Sequence, residues 1–220
     1  MGIISVEQSG ELYWLGRYTE RAYTTIRVFA QAYDEMIDGI ENSYEDFCRN
    51  LDIPDIYGDK DTFIRRYPFD LEDPNSIRSN LERAYDNAIV LRETIHTASL
   101  SYIQMAIYDM EKAAASRSPL LELQKIIDHL LAFYGIIEDQ IENEQTRNLI
   151  KAGKRIERVD LYARLALPRE KIEREVRRLS HRIERCGIPY DREAMMSLQA
   201  QVSQDPLDDS GILKAVNSIL

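Results

Sequence analysis

The sequence is poor in glycine, proline and cysteine. Nine glycines and seven prolines among 220 residues are too few for turn-rich β structure, and they favour long, uninterrupted helices. The two cysteines, Cys48 and Cys186, form neither a CxxC motif nor a zinc-ligand spacing, so we expect free thiols in a reducing cytosol. No apolar run approaches the roughly 18 residues of a membrane span, and the N-terminus lacks the layout of a signal peptide. We therefore expect a soluble cytoplasmic protein that does not insert into a membrane.

Residues that carry catalytic or metal chemistry are also scarce. The three histidines, His96, His129 and His181, lie far apart. The chain contains no HExxH motif, no Glu-x-x-His pair, no P-loop and no GxSxG motif. Carboxylates are plentiful but form no recognisable metal array. We therefore predict no metal site and no cofactor. The sequence identifies no catalytic residue, and it leaves open whether the chain is an enzyme.

The formal net charge of −10 disfavours general nucleic-acid binding, because an acidic protein repels the phosphate backbone. The charge is unevenly spread, since residues 151–185 hold 12 basic and 6 acidic residues. One interpretation of this basic stretch is a solvated helix face laced with ion pairs. The other is a docking surface for an anionic ligand or partner.

The order of apolar residues predicts an all-α fold. From Leu12 to Ile40, the positions of one stripe recur alternately three and four residues apart, and all of them except Thr19 are apolar, which describes one buried helix stripe. A second stripe starts at Asp73-Pro74, where an N-cap residue precedes a proline suited to the first helical position. The predicted helices cover residues 7–39, 73–117, 118–167 with a break near 143–148, 168–187, 191–201 and 211–220. Stripes of this length are typical of a bundle of long antiparallel helices.

We predict a single helical domain over residues 1–220. Its core covers residues 5–187, and short helices follow in residues 188–220. Residues 41–72 form a long connection with a short helix at 44–51. Such a connection is either a functional or mobile loop, or a crossover that lets two long helices pack side by side.

One helix motif occurs twice. Gly16-Arg17-Tyr18-Thr19-Glu20-Arg21 aligns with Gly153-Lys154-Arg155-Ile156-Glu157-Arg158, and Arg27 then aligns with Arg164. The offset is 137 residues throughout, which predicts an approximate internal twofold repeat. At about 100° per residue, the glycine, the glutamate and the distal arginine of each copy share one helix face.

The glycine in this motif is unfavourable for the helix itself, because glycine inside a helix costs roughly 1 kcal/mol relative to alanine. A common reason for such a glycine is the close approach of another backbone or of a ligand. We hypothesise that the two motif helices pack antiparallel, so that Glu20 meets Arg164 and Glu157 meets Arg27. A structural ion-pair core, a ligand- or partner-binding site and chance surface charge all stay open. The candidate binding residues are Arg17, Glu20, Arg21, Arg27, Arg155, Glu157, Arg158 and Arg164.

The stretch from Glu11 to Ala22, ELYWLGRYTERA, resembles the opening signature of the bacterial alpha-E domain family. Asp73-Pro74-Asn75-Ser76-Ile77 is similar to the family's central Asn-Pro-x-Ser-Ile element, although here the proline precedes the asparagine. Residues 153–164 resemble its closing motif, so the resemblance spans roughly residues 5–185. It implies an all-helical fold that contains a Glu-Arg motif.

Members of this family are often encoded beside, or fused to, a circularly permuted ATP-grasp ligase. The resemblance therefore implies a helical partner or substrate-binding subunit of an ATP-dependent carboxylate–amine ligase, with the paired Glu-Arg faces as the binding centre. Since this chain carries no ATP-grasp segment, the ligase would be a separate subunit. One alternative is a structural or homo-oligomerising bundle whose Glu–Arg pairs fix helix packing. Another is a stand-alone enzyme that uses a central glutamate as general base.

Overall fold

The computed structural model describes residues 4–220, and that part of the chain folds into ten α-helices without a β-strand. The predicted all-α fold is confirmed. The helices are α1 Val6–Ile37, α2 Ser43–Leu51, α3 Lys60–Arg66, α4 Ile77–Val90, α5 Arg92–Ala115, α6 Pro119–Gln140, α7 Glu144–Arg164, α8 Arg169–Ile183, α9 Arg192–Val202 and α10 Asp209–Val216. A 3-10 turn at Tyr67–Phe69 follows α3. Within residues 4–220, no helix is both long and apolar enough to cross a membrane.

Several helix ends follow local sequence signals. After α1, Gly39 takes a left-handed backbone with a φ of 76°, and after α8, Gly187 does the same with a φ of 66°. Glycine adopts this conformation without the steric cost of a side chain, so it commonly ends helices. The break before α7 lies at residues 141–143, close to its predicted position. There the Asn143 side chain caps α7 by accepting a hydrogen bond from the Thr146 backbone N–H at 3.0 Å.

The predicted continuous helix over residues 73–117 is wrong. Leu91 divides it into α4 and α5, and α5 itself contains a non-helical residue, His96, with a φ of 65° and a ψ of 152°. A residue with a side chain is strained in this region, so local propensity does not explain the break. The apolar stripe runs through both helices, and it therefore hides the interruption.

α4 also begins later than predicted, because Asp73 is not its N-cap. Ser76 caps the helix by accepting a hydrogen bond from the Ser79 backbone N–H at 3.0 Å. Asp73 is buried, and it accepts hydrogen bonds from the Tyr57 hydroxyl at 2.7 Å and from the Asn75 backbone N–H at 2.8 Å. Aspartate and serine are both good N-caps. The bond from Tyr57 holds Asp73 in the preceding turn, which leaves the cap to the serine.

Replacing Ser76 by alanine should lower the free energy of unfolding by about 0.5–2 kcal/mol, the usual cost of a lost N-cap. The serine hydroxyl also donates to the carbonyl oxygen of Asp70, which would lose that partner. Urea denaturation measures the change. As a control, Ser101→Ala removes a hydroxyl that donates within α5 to Thr97 at 2.8 Å, and it should change stability by less than about 0.5 kcal/mol. Equal effects of the two substitutions would contradict the capping role.

The chain comprises two compact units. The first consists of Met1–Glu20 together with Ile141–Leu220, and the second consists of Arg21–Gln140. α1 therefore contributes its first part to one unit and its remainder to the other. The single-domain organisation over residues 1–220 stays a prediction.

The second unit has an aromatic core. Phe29 of α1 packs against Phe47 of α2, Phe63 of α3 and Tyr67 of the 3-10 turn, with ring centroids 6.0 to 6.1 Å away. Phe63 and Tyr67 stack on each other at 4.7 Å, and all four rings are buried. Residues 41–72 therefore supply part of the core of this unit. The sequence predicted α2 within this stretch but not α3.

In the first unit, α7 packs against α8 and α10, and α9 packs against α8 and α10. Each of these four helices contributes a fully buried apolar side chain: Ile156 of α7, Leu179 of α8, Leu198 of α9 and Ile212 of α10. The C-terminal residues 188–220 thus pack with the helix that carries the second copy of the motif. This packing fixes the position of the candidate site.

Candidate functional site

The two motif glycines lie where α1 and α7 touch within the first unit. A Cβ atom on Gly16 would lie 2.0 Å from the carbonyl oxygen of Ile150, and one on Gly153 would lie 2.1 Å from the carbonyl oxygen of Tyr13. Any larger residue would collide with backbone, so glycine is required for this approach. Tyr13 and Ile150 are themselves 137 positions apart, so the offset relates the two contacts. The predicted glycine contact is confirmed.

The two helices run in the same direction at this crossing. Beyond the glycine contact, Arg17 of α1 meets Glu157 of α7. One turn further along α1, Glu20 meets Arg158. Residue numbers therefore rise together along both helices, whereas in an antiparallel pair they would rise on one and fall on the other. The sequence predicted the contacting face correctly, but the hypothesised antiparallel packing of the two motif helices is wrong.

Two buried ion pairs, Glu20–Arg158 and Glu157–Arg17, form what we call the Glu–Arg core. Arg158 donates from Nε to Glu20 Oε1 at 2.6 Å and from Nη2 to Oε2 at 2.8 Å, which is the strong bidentate geometry. Arg17 donates from Nε to Glu157 Oε2 at 2.7 Å. The glutamates are 0% and 1% exposed, and the arginine side chains 14% and 11%. The core is a set of largely buried charges that neutralise each other.

The hypothesis was also wrong about which arginines pair with the glutamates. Arg164 donates from Nε to Asp160, one turn back on its own helix, at 2.7 Å. Arg27 is exposed on α1, with its guanidinium 5.7 Å from the ring centroid of Tyr23. A residue seven positions beyond a glutamate lies about 10 Å further along the helix axis. In two helices that run in the same direction, such an arginine lies too far beyond the glutamate of the partner helix. The arginines next to the crossing, Arg17 and Arg158, therefore pair with the glutamates.

Arg17 is held by a network that the motif did not reveal. Its Nη1 donates to the Tyr13 hydroxyl at 3.1 Å and its Nη2 to Asn217 Oδ1 at 3.2 Å. Asn217 in turn donates from Nδ2 to Asp160 at 2.7 Å. Burial lowers the pKa of Arg17, but Glu157 and Tyr13 outweigh burial and raise it above its usual range, so the guanidinium stays charged. The sequence offered no signal for Asn217, because nothing in the C-terminal stretch repeats the motif.

The two copies of the motif differ at the position after glycine, where Lys154 corresponds to Arg17. Burial lowers the pKa of Lys154 to about 7, and the nearby Arg158 acts in the same direction, although Glu20 opposes both. The glycine contacts of the two copies are therefore equivalent, but the charged residues Arg17 and Lys154 are not. An internal repeat over the whole fold stays a prediction.

Replacing Lys154 by methionine should raise the free energy of unfolding at pH 6, by on the order of 1–2 kcal/mol, because even a partly buried ammonium is costly to desolvate. Its folded pKa of about 7 lies below the usual 10.5. Between those values the unfolded chain binds more protons than the folded chain, so the wild type gains stability as the pH rises. The advantage of the variant should therefore shrink from pH 7 to pH 10. Urea denaturation of both proteins across this range measures it, and a constant difference would contradict the titration of Lys154.

Two further candidates lie outside the Glu–Arg core. Arg155 faces α8, where it donates to the buried Glu175. Arg21 belongs to the second unit, where burial raises the pKa of the Tyr67 hydroxyl and the charge of Arg21 opposes that rise. Of the eight candidate residues, the four of the Glu–Arg core are brought together. Their role in binding a ligand or partner stays a prediction.

The other chemically reactive side chains of the described chain are dispersed. Within residues 4–220, no three His, Cys, Asp or Glu side chains are grouped so that they could hold a metal ion. Cys48 and Cys186 are buried free thiols, as predicted. Burial raises the pKa of Cys48 to about 11 and that of Cys186 to about 12, so both stay protonated and unreactive near neutral pH.

Comparison with known proteins gives a family match over most of the chain. The family is described as a predicted alpha-helical domain with a conserved ER motif, and its model matches residues 9–200. No curated protein and no solved structure shows a significant match. The matched range contains both copies of the motif and the whole Glu–Arg core. The chain therefore belongs to the alpha-E family of helical domains.

Proposed function

We propose that this chain is a non-catalytic helical subunit that works with a separate ATP-dependent carboxylate–amine ligase, and that its Glu–Arg core fixes the packing of α1 on α7. The mutual pairing of four buried charges is the observation that carries the structural role. The ligase partner is the expectation that the family resemblance implies, since members of the family are often encoded beside a circularly permuted ATP-grasp ligase. Nothing in the proposal requires that partner to be part of this chain.

The state of the two glutamates supports a structural role over a catalytic one. A general base needs a carboxylate oxygen within hydrogen-bond reach of the proton that it removes. Both carboxylate oxygens of Glu20 accept hydrogen bonds from Arg158, and Glu157 accepts one from Arg17. A stand-alone enzyme that uses either glutamate would first have to break an ion pair.

The same pairing weighs against substrate capture by the Glu–Arg core itself. An incoming carboxylate or phosphate would have to displace Glu20 from Arg158 or Glu157 from Arg17. Either exchange would leave a displaced carboxylate in a buried site, which is strongly unfavourable. We therefore place the partner contacts on the outer surface of the first unit. The Glu–Arg core then contributes by holding that surface in shape.

The test is a reconstitution with the ATP-grasp ligase encoded nearest to the gene of this chain. Ligation is followed as ADP release in the presence of ATP, an amine and a carboxylate, with and without the full chain. Association of the two proteins is measured in parallel by co-purification. We expect ligation to require both proteins, and we expect this chain alone to release no ADP. Failure of the two proteins to associate at micromolar concentration, or ligation by this chain alone, would refute the proposal.

A variant that lacks one ion pair of the Glu–Arg core tests whether the core acts through packing or by binding the ligase directly. The double variant Glu20→Met with Arg158→Leu replaces one ion pair by apolar side chains of similar volume, a change that buried pairs often tolerate. If the Glu–Arg core is structural, the folded variant should associate with the ligase as the wild type does. A variant with wild-type stability that no longer associates would instead make this pair part of the binding site.

A further inference from the structure

A cleft of about 500 Å³ in the first unit is lined by basic side chains. α7 contributes Arg155, and α8 contributes Arg174, Arg177, Arg178, His181 and Arg182. The α8 residues recur three and four positions apart, so they share one face of that helix. This cleft lies within the basic stretch of residues 151–185, but the Gly-Glu-Arg motif predicted only Arg155 among its lining residues.

The positive charge of the cleft is only partly neutralised. Glu175 lies beneath it, 1% exposed, and accepts hydrogen bonds from Arg155 and from Arg178, the latter at 2.8 Å. Arg174 also approaches Glu175, at 3.5 Å. Burial raises the pKa of Glu175, but Arg155 and the neighbouring arginines outweigh burial and hold it below its usual range. One carboxylate is thus shared among several guanidinium groups, which leaves an excess of positive charge.

One side chain shows this excess directly. Among the described residues, Arg177 is exposed and its side chain forms neither an ion pair nor a hydrogen bond. A surface built only for stability would place an acidic side chain against this group. The geometry therefore favours an anion as the missing counter-charge.

The type of the lining side chains narrows the chemistry of that anion. Guanidinium forks match the oxygen geometry of phosphate and bind it in a bidentate way. The lining holds no aromatic ring other than His181 on which a nucleobase could stack, and no large apolar side chain. Five arginines around about 500 Å³ provide more donors and more room than a single phosphate group uses.

We propose that the cleft between α7 and α8 binds an oligophosphate chain, either free or as part of a nucleotide. The side chains contact the phosphate oxygens, and a nucleoside attached to the chain extends into solvent. This site is separate from the Glu–Arg core, and it does not depend on the proposed ligase partner.

The test is isothermal titration calorimetry of the full chain with inorganic triphosphate, pyrophosphate, phosphate and ATP. We expect triphosphate to bind at least tenfold more tightly than phosphate, and ATP to bind within about threefold of triphosphate, because the lining recognises the chain and not the base. Affinity should fall as salt concentration rises. Binding of ATP without binding of triphosphate would overturn the proposal, as would equal affinity for phosphate and triphosphate or no binding at low salt.

The decisive variant is Arg174→Ala with Arg177→Ala. It removes two lining cations, while Arg155 and Arg178 keep Glu175 paired, so the helices stay packed. Triphosphate affinity should fall at least tenfold. The matched control, Lys171→Ala with Arg185→Ala, removes the same charge from the same region outside the lining and should change affinity by less than about threefold.

Two outcomes of this comparison would overturn the proposal. The first is an unchanged affinity in the cleft variant. The second is an equal loss in the control, which would mean that the overall charge of the region attracts the anion. A separate titration of the wild type with a poly-glutamate peptide gives a third such outcome: tighter binding of the peptide than of triphosphate would identify the cleft as a site for an acidic protein segment. Thermal melts of both variants check that each one is folded.

Discussion

Replacing Glu20 by alanine is expected to lower the free energy of unfolding by about 3–5 kcal/mol, the usual cost of removing one partner of a buried ion pair. Glu20 is fully buried, and the Arg158 side chain is 14% exposed. The guanidinium would lose both of its bonds to Glu20, at 2.6 and 2.8 Å. Glu175, 4.0 Å from Arg158, is too far away to replace them. Urea denaturation gives the free energy.

Two further variants show whether charge imbalance causes this loss. Glu184→Ala removes an exposed carboxylate at the end of α8 in the same unit and should change stability by less than about 0.5 kcal/mol. Glu20→Met with Arg158→Leu removes both charges and should recover most of the loss, because apolar side chains of similar volume can replace a buried pair. If the double variant is as unstable as Glu20→Ala, the loss comes from packing and not from charge imbalance.

The location of the Glu–Arg core was predictable from the sequence because two of its causes are local. A glycine at a cost of roughly 1 kcal/mol inside a helix signals a close contact, and a spacing of four residues places Glu20 on the face of Gly16. The direction of the partner helix was not predictable. A shared face fits a parallel and an antiparallel crossing equally well. Only the ion pairs of Arg17 with Glu157 and of Glu20 with Arg158, in which residue numbers rise together on both helices, distinguish them.

The choice among arginines could not be made from the sequence for a related reason. An arginine side chain is long and flexible, so Arg17, Arg21 and Arg27 were all within plausible reach of a glutamate on a facing helix. Which one pairs depends on the crossing direction. The bond from Asn217 to Asp160 brings in a segment far along the chain that no repeat points to.

A tertiary contact also decided the start of α4, which the sequence missed. Asp73 and Ser76 are equally suitable caps on local grounds, and the buried hydroxyl of Tyr57 holds the aspartate in place. The strained backbone at His96 has no counterpart in the apolar stripe. The choice of cap depends on a partner 16 residues away, which local patterns do not contain.

Replacing Gly16 by alanine is expected to lower the free energy of unfolding by about 3 kcal/mol, the upper part of the usual range for overpacking. The new Cβ would lie 2.0 Å from the carbonyl oxygen of Ile150. That atom belongs to the backbone of α7, so it cannot turn away as a flexible side chain would, and the two helices would have to separate. Alanine's helix propensity, worth about 1 kcal/mol, offsets only part of this cost. Gly153→Ala should behave alike, because its Cβ would lie 2.1 Å from the Tyr13 oxygen.

Alanine substitutions of two other helical glycines serve as controls for the close contact. Gly10 in α1 and Gly135 in α6 have no atom within 4 Å of an added Cβ, so alanine there should stabilise the protein by about 0.5–1 kcal/mol. The sign of the effect therefore separates contact glycines from ordinary ones. Gly16 and Gly153 occupy one interface, so their effects should not add: the first alanine already separates the helices, and the second then costs less. Fully additive losses would mean that the two glycines act in independent contacts, and a stabilising Gly16→Ala would refute the close approach of α1 and α7.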